Sequence, residues 1–167
     1  MLDSSSWTER GGRWVLAQFA LMVCVLLAAF LPPGWPDNVA PLLTALGAVL
    51  AVLGGIVAVW AWQTLGQRNA ASPFPVPREG ARLVEGGPYA YVRHPIYAAG
   101  LIFFTGFALA TSPAAFVPLI ALAILWRNKA QLEEDYLARQ YHEYGEYREQ
   151  VPGAFVPKVP SSSRRGD

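Results

Sequence analysis

Charge is what this chain has least of. Charged residues occupy 15% of its 167 positions, against roughly 25% in an ordinary soluble domain. The 53% of hydrophobic residues is gathered into long runs, so the excess points to an integral membrane protein of one domain and not to a large soluble core. The net charge of +1 leaves no strongly basic patch, which excludes nucleic acid as a partner. Cysteine is almost missing. Cys24 stands alone inside an apolar run, so no internal disulfide can form, and it reads as a small lipid- or core-facing residue, not a nucleophile. The two histidines, His94 and His142, do not have zinc spacing, and no metal site is expected. A glycine-rich phosphate loop and a serine or cysteine nucleophile beside a paired histidine are also missing.

The apolar runs are therefore the first positive signal. A bilayer core is about 30 Å thick and takes roughly 20 residues of helix to cross. Trp14–Leu31, interrupted only by Gln18, and the longer Val39–Trp62 predict a transmembrane hairpin closed by the turn "PPGWPDN". Ile96–Ala110 and Ala114–Trp126 predict a second, shorter pair joined by "TSP", which would tilt or borrow interfacial residues. The first thirteen residues are polar and do not look like a cleavable signal peptide. Arginine and lysine fall in the N-terminal tail, in the loop from Gln63 to His94 and after Leu125, and are missing from both short turns. By the positive-inside rule both termini and the central loop are then cytoplasmic, most simply at an inner membrane.

Beyond Trp126, Leu132, Tyr136, Leu137, Tyr141, Tyr144 and Tyr147 recur at mostly three- and four-residue spacing, the period of a half-apolar helix. Gly145 weakens that helix and Pro152 ends it. The predicted fold is all-α: a membrane bundle of about four transmembrane helices with a C-terminal cytoplasmic amphipathic helix, followed by a tail over 153–167 that is disordered at its end. Gly47, Ala51 and Gly55, with Ala58 nearby, form a small-residue ridge on the second span. Such a ridge serves close helix packing, or a seam for a homodimer.

The polar residues capable of chemistry collect in two places. One is "GGPYAYVRHPIYAAG", Gly86–Gly100, where Pro95 suits the first turn of a helix. His94 would cap that helix beside unpaired backbone N–H groups that favour an anion. The other is Arg127–Glu134 at the end of the fourth span, with Arg127 and Glu134 on one helical face. An antiparallel third and fourth helix would bring the two segments together at one membrane face. An aromatic belt with a snorkelling arginine is the competing explanation for the tyrosines, above all Tyr91.

"GPYAYVRHPIYAAG", followed some thirty residues later by "EEDYL", a tyrosine-rich helix and "VP", resembles the isoprenylcysteine carboxyl methyltransferase family. That family is related to the phospholipid N-methyltransferases among integral membrane methyltransferases. The likeness runs from about Leu65 to Pro152 and marks 63–152 as the catalytic region. It implies a cytoplasmic pocket for S-adenosylmethionine formed by Tyr89, Arg93, His94, Pro95, Tyr97, Gly100, Glu133 and Glu134, with a lipid-side opening for a lipid-like or small apolar acceptor. It implies catalytic roles for Arg127, at the acceptor, and for Glu134. The expected reaction is methyl transfer to a carboxylate, which is already nucleophilic and wants a cation. A phospholipid amine is the alternative, and would have to lose a proton to a base. Two further alternatives are an NADPH-dependent enzyme like the sterol reductases and a non-catalytic membrane scaffold. The chain departs from the family at Gln140-Tyr141, where a Phe-Gly pair is common, and this bears on the acceptor more than on the cofactor.

Overall fold

The computed structural model describes residues 11–67 and 82–159. Most of the N-terminal tail, the loop residues 68–81 and the end of the C-terminal tail lie outside the described residues. The elements are α1 (Gly12–Ala28), α2 (Ala40–Gln67), α3 (Pro95–Ala110), α4 (Phe116–Gln140) and α5 (Tyr144–Gln150), with 3-10 turns at Gly87–Ala90 and Pro113–Ala115. No strand occurs among the described residues.

The helices begin and end where local chemistry directs. Pro95 opens α3 at the position where a missing N–H is harmless. α4 does not stop or kink at Trp126 but continues to Gln140 as one helix. It breaks at Tyr141, whose backbone is extended, and α5 then runs to Gln150, short of Pro152, because the residue before proline disfavours helix.

The expected hairpins are not the tightly packed pairs. α2 packs along α3, and α1 packs along α4. The α2–α3 pairing follows from small residues: a Cβ on Gly54 would sit 2.6 Å from the Phe103 nitrogen and 2.7 Å from the Ala99 carbonyl. Gly47 and Gly106 face each other's helices just as closely. Gly47 thus serves packing inside the chain, whereas Gly55 meets open space and lines a cavity together with Ala58. "PPGWPDN" is not a tight turn either. It crosses to the second pair, where the Trp35 indole donates to the Ala108 carbonyl at 3.4 Å. Ser112, 1% exposed, joins the two turns by donating toward the Leu31 and Pro33 carbonyls at 2.9 and 3.1 Å.

All four long helices carry exposed apolar side chains, including Leu27, Leu42, Ile102 and Val117. An apolar exterior this extensive fits lipid and not water. Of the described helices, α2 is the one long and apolar enough to cross a membrane by itself, whereas α1 and α3 have 17 and 16 residues. The architecture is accordingly an antiparallel four-helix bundle with an apolar surface, in which a full crossing is established by length and composition for α2 alone.

Candidate functional site

The bundle gathers the start of α1, the end of α2, the start of α3 and the second half of α4 at one end. There "RHP" and "LEE" meet, as the antiparallel reading required. The Arg93 guanidinium places Nε 3.0 Å and Nη2 2.9 Å from Glu134 Oε1, and its Nη1 donates to the Val151 carbonyl at 2.8 Å. His94 lies between two carboxylates: Nε2 is 3.1 Å from Glu134 Oε1 and Nδ1 is 3.6 Å from Glu133 Oε2. Both ring nitrogens can donate only in the imidazolium. Burial alone would lower the His94 pKa, but hydrogen bonds to Glu133 and Glu134 outweigh it and hold the ring above its ordinary value. Burial likewise pushes the Glu134 carboxyl up, and the His94 hydrogen bond with the Arg93 charge overcomes it, leaving a net lowering.

A cavity of about 770 Å³ runs from this cluster into the bundle, between the α2–α3 and α1–α4 pairs. Its polar end is lined by Tyr89, Arg93, His94, Tyr97 and Glu133, and its deeper part by Gly100, Phe103, Phe104, Met22 and Trp126. The Tyr97 hydroxyl donates to Glu133 Oε1. The Tyr97 ring stacks on the His94 ring at 5.7 Å and on the Trp126 ring at 5.4 Å, forming a flat wall at the depth where polar lining gives way to apolar. Gly100 lies under Trp126, since a Cβ there would approach the indole to 2.7 Å. Gly87, at φ 60°, turns the chain toward Tyr89 in a backbone conformation that glycine adopts without strain.

The sequence-predicted residues divide by position. Tyr89, Arg93, His94, Tyr97, Gly100 and Glu133 line the cavity. Pro95 is buried beneath them as the first residue of α3. Glu134 lies behind the wall, held by Arg93 and His94. Arg127, expected at the acceptor, is exposed and does not line the cavity. Three groups went unrecognised in the sequence. Lys129, 1% exposed, lines the cavity, donates to Gln18 Oε1 of α1 at 2.8 Å and lies 5.4 Å from the Tyr97 ring centre. Gln18 itself had been visible as the one interruption of its apolar run. The strap Val151–Phe155, placed partly in the tail by sequence, pairs its Gly153 and Ala154 carbonyls with the backbone N–H groups of Arg93 and His94. It also lays Phe155 on the His94 ring at 5.8 Å. The Pro152-Gly153 turn was its only sequence signal.

Two buried donors in this region are left over. Trp126 Nε1 has no hydrogen-bond partner, nor does the Tyr144 hydroxyl, which lies near the Arg93 guanidinium without a well-formed bond to it. Burial, with Glu134 nearby, raises the Tyr144 pKa, so it stays protonated. Orphaned buried donors are rare in proteins and call for a partner from outside the chain, a ligand group or an ordered water. A cavity with carboxylates and cations at one end, flat aromatic walls and unspent donors suits a zwitterionic, aromatic ligand next to an apolar one. Among the described residues no cluster of metal-binding side chains occurs.

Comparison with known proteins bears on the same region. Residues 42–144 match the model of a family described as phospholipid methyltransferase, a span that holds the cavity walls from α2 to Tyr144. The cobalt-zinc-cadmium resistance protein CzcN of Cupriavidus metallidurans is 30% identical over 164 residues, covering 95% of this chain and 68% of that protein. With well over half its length inside the family's model, and the Arg-His-Pro and Glu-Glu elements joined at one end of an apolar helical bundle, the chain belongs to the phospholipid methyltransferase family of integral membrane methyltransferases.

Proposed function

We propose that this protein transfers a methyl group from S-adenosylmethionine to the carboxylate of a membrane-embedded or apolar acceptor. The observation that carries the reading is the buried Arg93–His94–Glu134 network, with Tyr97–Glu133 beside it, at the mouth of a cavity whose deeper walls are apolar. Tyr89, His94, Tyr97, Gly100 and Glu133 would hold the cofactor, with Arg93, Glu134 and Pro95 fixing them from behind. When bound, the cofactor supplies an electrophilic methyl on a sulfonium: the acceptor O–C bond forms as the S–C bond breaks, and the electron pair goes to a neutral thioether.

The protein's own work is then positioning and exclusion of water. Glu133 is oriented by the Tyr97 hydroxyl and the His94 ring, which leaves a fixed carboxylate for a cationic ligand group. Arg93 and His94 keep Glu134 ionised, so the floor of the site does not rearrange during reaction. Phe103, Phe104 and Met22 keep water from the deeper half, where a carboxylate freed of part of its hydration is a better nucleophile. Holding both reactants in line supplies the remaining acceleration, and a carboxylate acceptor requires no base.

The competing acceptor is a phospholipid amine, which the family's description favours. Charge favours the acid. Arg93, His94 and Lys129 outnumber Glu133 and Glu134 at the site, and the cofactor adds one more net positive charge. A carboxylate relieves the excess directly, whereas a phospholipid amine does so only through its phosphate and must also lose a proton. The test is calorimetry of the detergent-purified protein with S-adenosylmethionine and with its demethylated product, followed by incubation of membranes with methyl-labelled cofactor. Saturable binding and a base-labile labelled ester are expected. No binding at millimolar ligand would refute the reading.

A further inference from the structure

The sequence offered Arg127 as the cation for the acceptor, but that side chain is exposed and off the cavity. The wall itself shows a different pair. Trp126 and Lys129 are 5% and 1% exposed, both line the cavity, and at i and i+3 of α4 they share one helical face. Glu133 continues the same face toward the polar end. At about 1.5 Å of rise per residue, Lys129 lies about 6 Å and Trp126 about 10 Å deeper along α4 than Glu133. This is the depth at which the lining changes from charged to apolar.

We propose that Lys129 and Trp126 form the subsite for the acceptor's carboxylate, the Lys129 ammonium and the Trp126 indole N–H donating to the anion while the acceptor's apolar tail lies among Phe103, Phe104 and Met22. The inference deepens the methyltransferase reading and rests on it. Its strongest support is the indole N–H, a buried donor with no partner in the protein, on a residue that lines the cavity. A hydrocarbon ligand alone would leave it unsatisfied, and an anion would not. The Lys129 ammonium is held in position by Gln18 at 2.8 Å and by Glu133 at 3.9 Å. Gln18 comes from α1, whose main partner is α4. α1 therefore contributes to acceptor recognition, although it lies outside the matched family region of residues 42–144. One carboxylate oxygen bound by these two donors leaves the other free for attack.

The test uses the full-length protein in detergent with methyl-labelled S-adenosylmethionine and three acceptor probes: a farnesylated N-acetylcysteine, palmitate, and phosphatidylethanolamine. Trp126→Phe keeps the ring and removes the N–H; Lys129→Gln removes the charge and keeps a donor. Both should raise KM for the acid probe at least about tenfold, the loss of one hydrogen bond to a charged group. Affinity for the demethylated cofactor should stay within about twofold, and Lys129→Arg should recover part of the loss. The farnesylated and palmitate arms report which apolar tail the subsite serves, and turnover of either acid supports the anion. Wild-type turnover with unchanged KM in both variants would overturn the subsite while leaving the methyltransferase reading intact. A loss confined to Arg127→Gln would do the same, and methylation of the amine in preference to both acids would overturn the subsite together with the carboxylate acceptor. Absence of cofactor binding by the wild type would overturn both.

Discussion

Glu134→Ala should be the most damaging single substitution at the site, and its cost follows from the geometry. One oxygen, Glu134 Oε1, receives Arg93 Nε at 3.0 Å, Arg93 Nη2 at 2.9 Å and His94 Nε2 at 3.1 Å. The three side chains are exposed by only 8%, 7% and 11% in the order Arg93, His94, Glu134. Removing the carboxylate leaves a buried guanidinium with the Val151 carbonyl as its remaining partner and leaves His94 with Glu133 alone. Breaking a buried pair by removing one member costs about 3–5 kcal/mol, a large part of the roughly 5–15 kcal/mol that stabilises a typical domain. Arg148 adds little, because it is 62% exposed and 3.8 Å from Glu134 Oε2. Glu134→Gln keeps one acceptor oxygen and should fall between alanine and wild type. Arg93→Met combined with Glu134→Leu should recover part of the alanine loss, since no uncompensated charge remains. The assay is thermal unfolding of the detergent-purified variants across pH. Glu134 has a folded pKa below its unfolded one, so its contribution is present above the ordinary carboxylate range and is lost as pH falls through the folded value. His94 has the opposite sign: its contribution is complete below about 6.5, its unfolded value, and is lost as pH rises through the raised folded one. The wild type should therefore be most stable on the weakly acidic side of neutrality, and Glu134→Ala should flatten both limbs. A loss below about 1 kcal/mol, the value of an exposed ion pair, would refute the description of this cluster as a buried, mutually neutralising network.

Gly54→Ala should destabilise the bundle by about 1–3 kcal/mol through overpacking, because its Cβ would enter the α3 backbone at 2.6 Å. Gly66→Ala, which meets nothing within 4 Å, should be neutral or slightly stabilising, and detergent melting curves compare the two directly. Ser112→Ala should cost about 1–3 kcal/mol by leaving the Leu31 and Pro33 carbonyls without their donor. It should do so without altering cofactor affinity, because the residue sits at the opposite end of the bundle, and unfolding with calorimetry on the same sample separates the two effects. Phe155→Ala removes a ring stacked on His94 at 5.8 Å and tilted over Tyr97 at 6.4 Å, a contact of about 0.5–1.5 kcal/mol per pair. It should weaken binding of the demethylated cofactor several-fold, and unchanged affinity would show that the strap closes over the helix cap without shaping the pocket.

How much of this was legible in the sequence depended on whether the information was local. Pro95 at the first turn of α3, the arrest of α5 before Pro152 and the apolar runs are written in neighbouring residues, and the helices follow them to within a few positions. The meeting of Arg93-His94-Pro95 with Glu133-Glu134 was also readable, because two adjacent antiparallel helices leave few alternatives. Which helices pack together was not. Adjacent runs suggest hairpins, yet Gly54 and Gly106 let α2 and α3 approach so closely that α1 is left to α4. A four-residue spacing of small residues at Gly47, Ala51 and Gly55 could not show that Gly54, one position off that ridge, bears the closest contact with Phe103.

The proposed shift of the acceptor cation from Arg127 to Lys129 has the same origin. Arg127 and Lys129 are two residues apart on α4, so they point about 200° apart around a helix of 3.6 residues per turn, and at most one of them can face a given cavity. A shared helical face with Glu134 and the family pattern favoured Arg127, but the sequence held a physical constraint that pointed elsewhere. Gln18 is the one polar side chain in an otherwise apolar run of eighteen residues, and a polar group in such a run requires a partner on whichever helix it faces. The candidates on α4 can be sorted by face. Glu133 and Trp126 lie on the cavity side, Lys129 is on their ridge at i−4 and i+3, and Arg127 is not. Matching the isolated polar residue of one helix to the cation that shares a ridge with Glu133 on another selects Lys129, once α1 and α4 are known to be neighbours and the cavity side of α4 is known. That neighbour relation and the face of α4 that lines the cavity are the two non-local facts on which the proposed acceptor subsite depends.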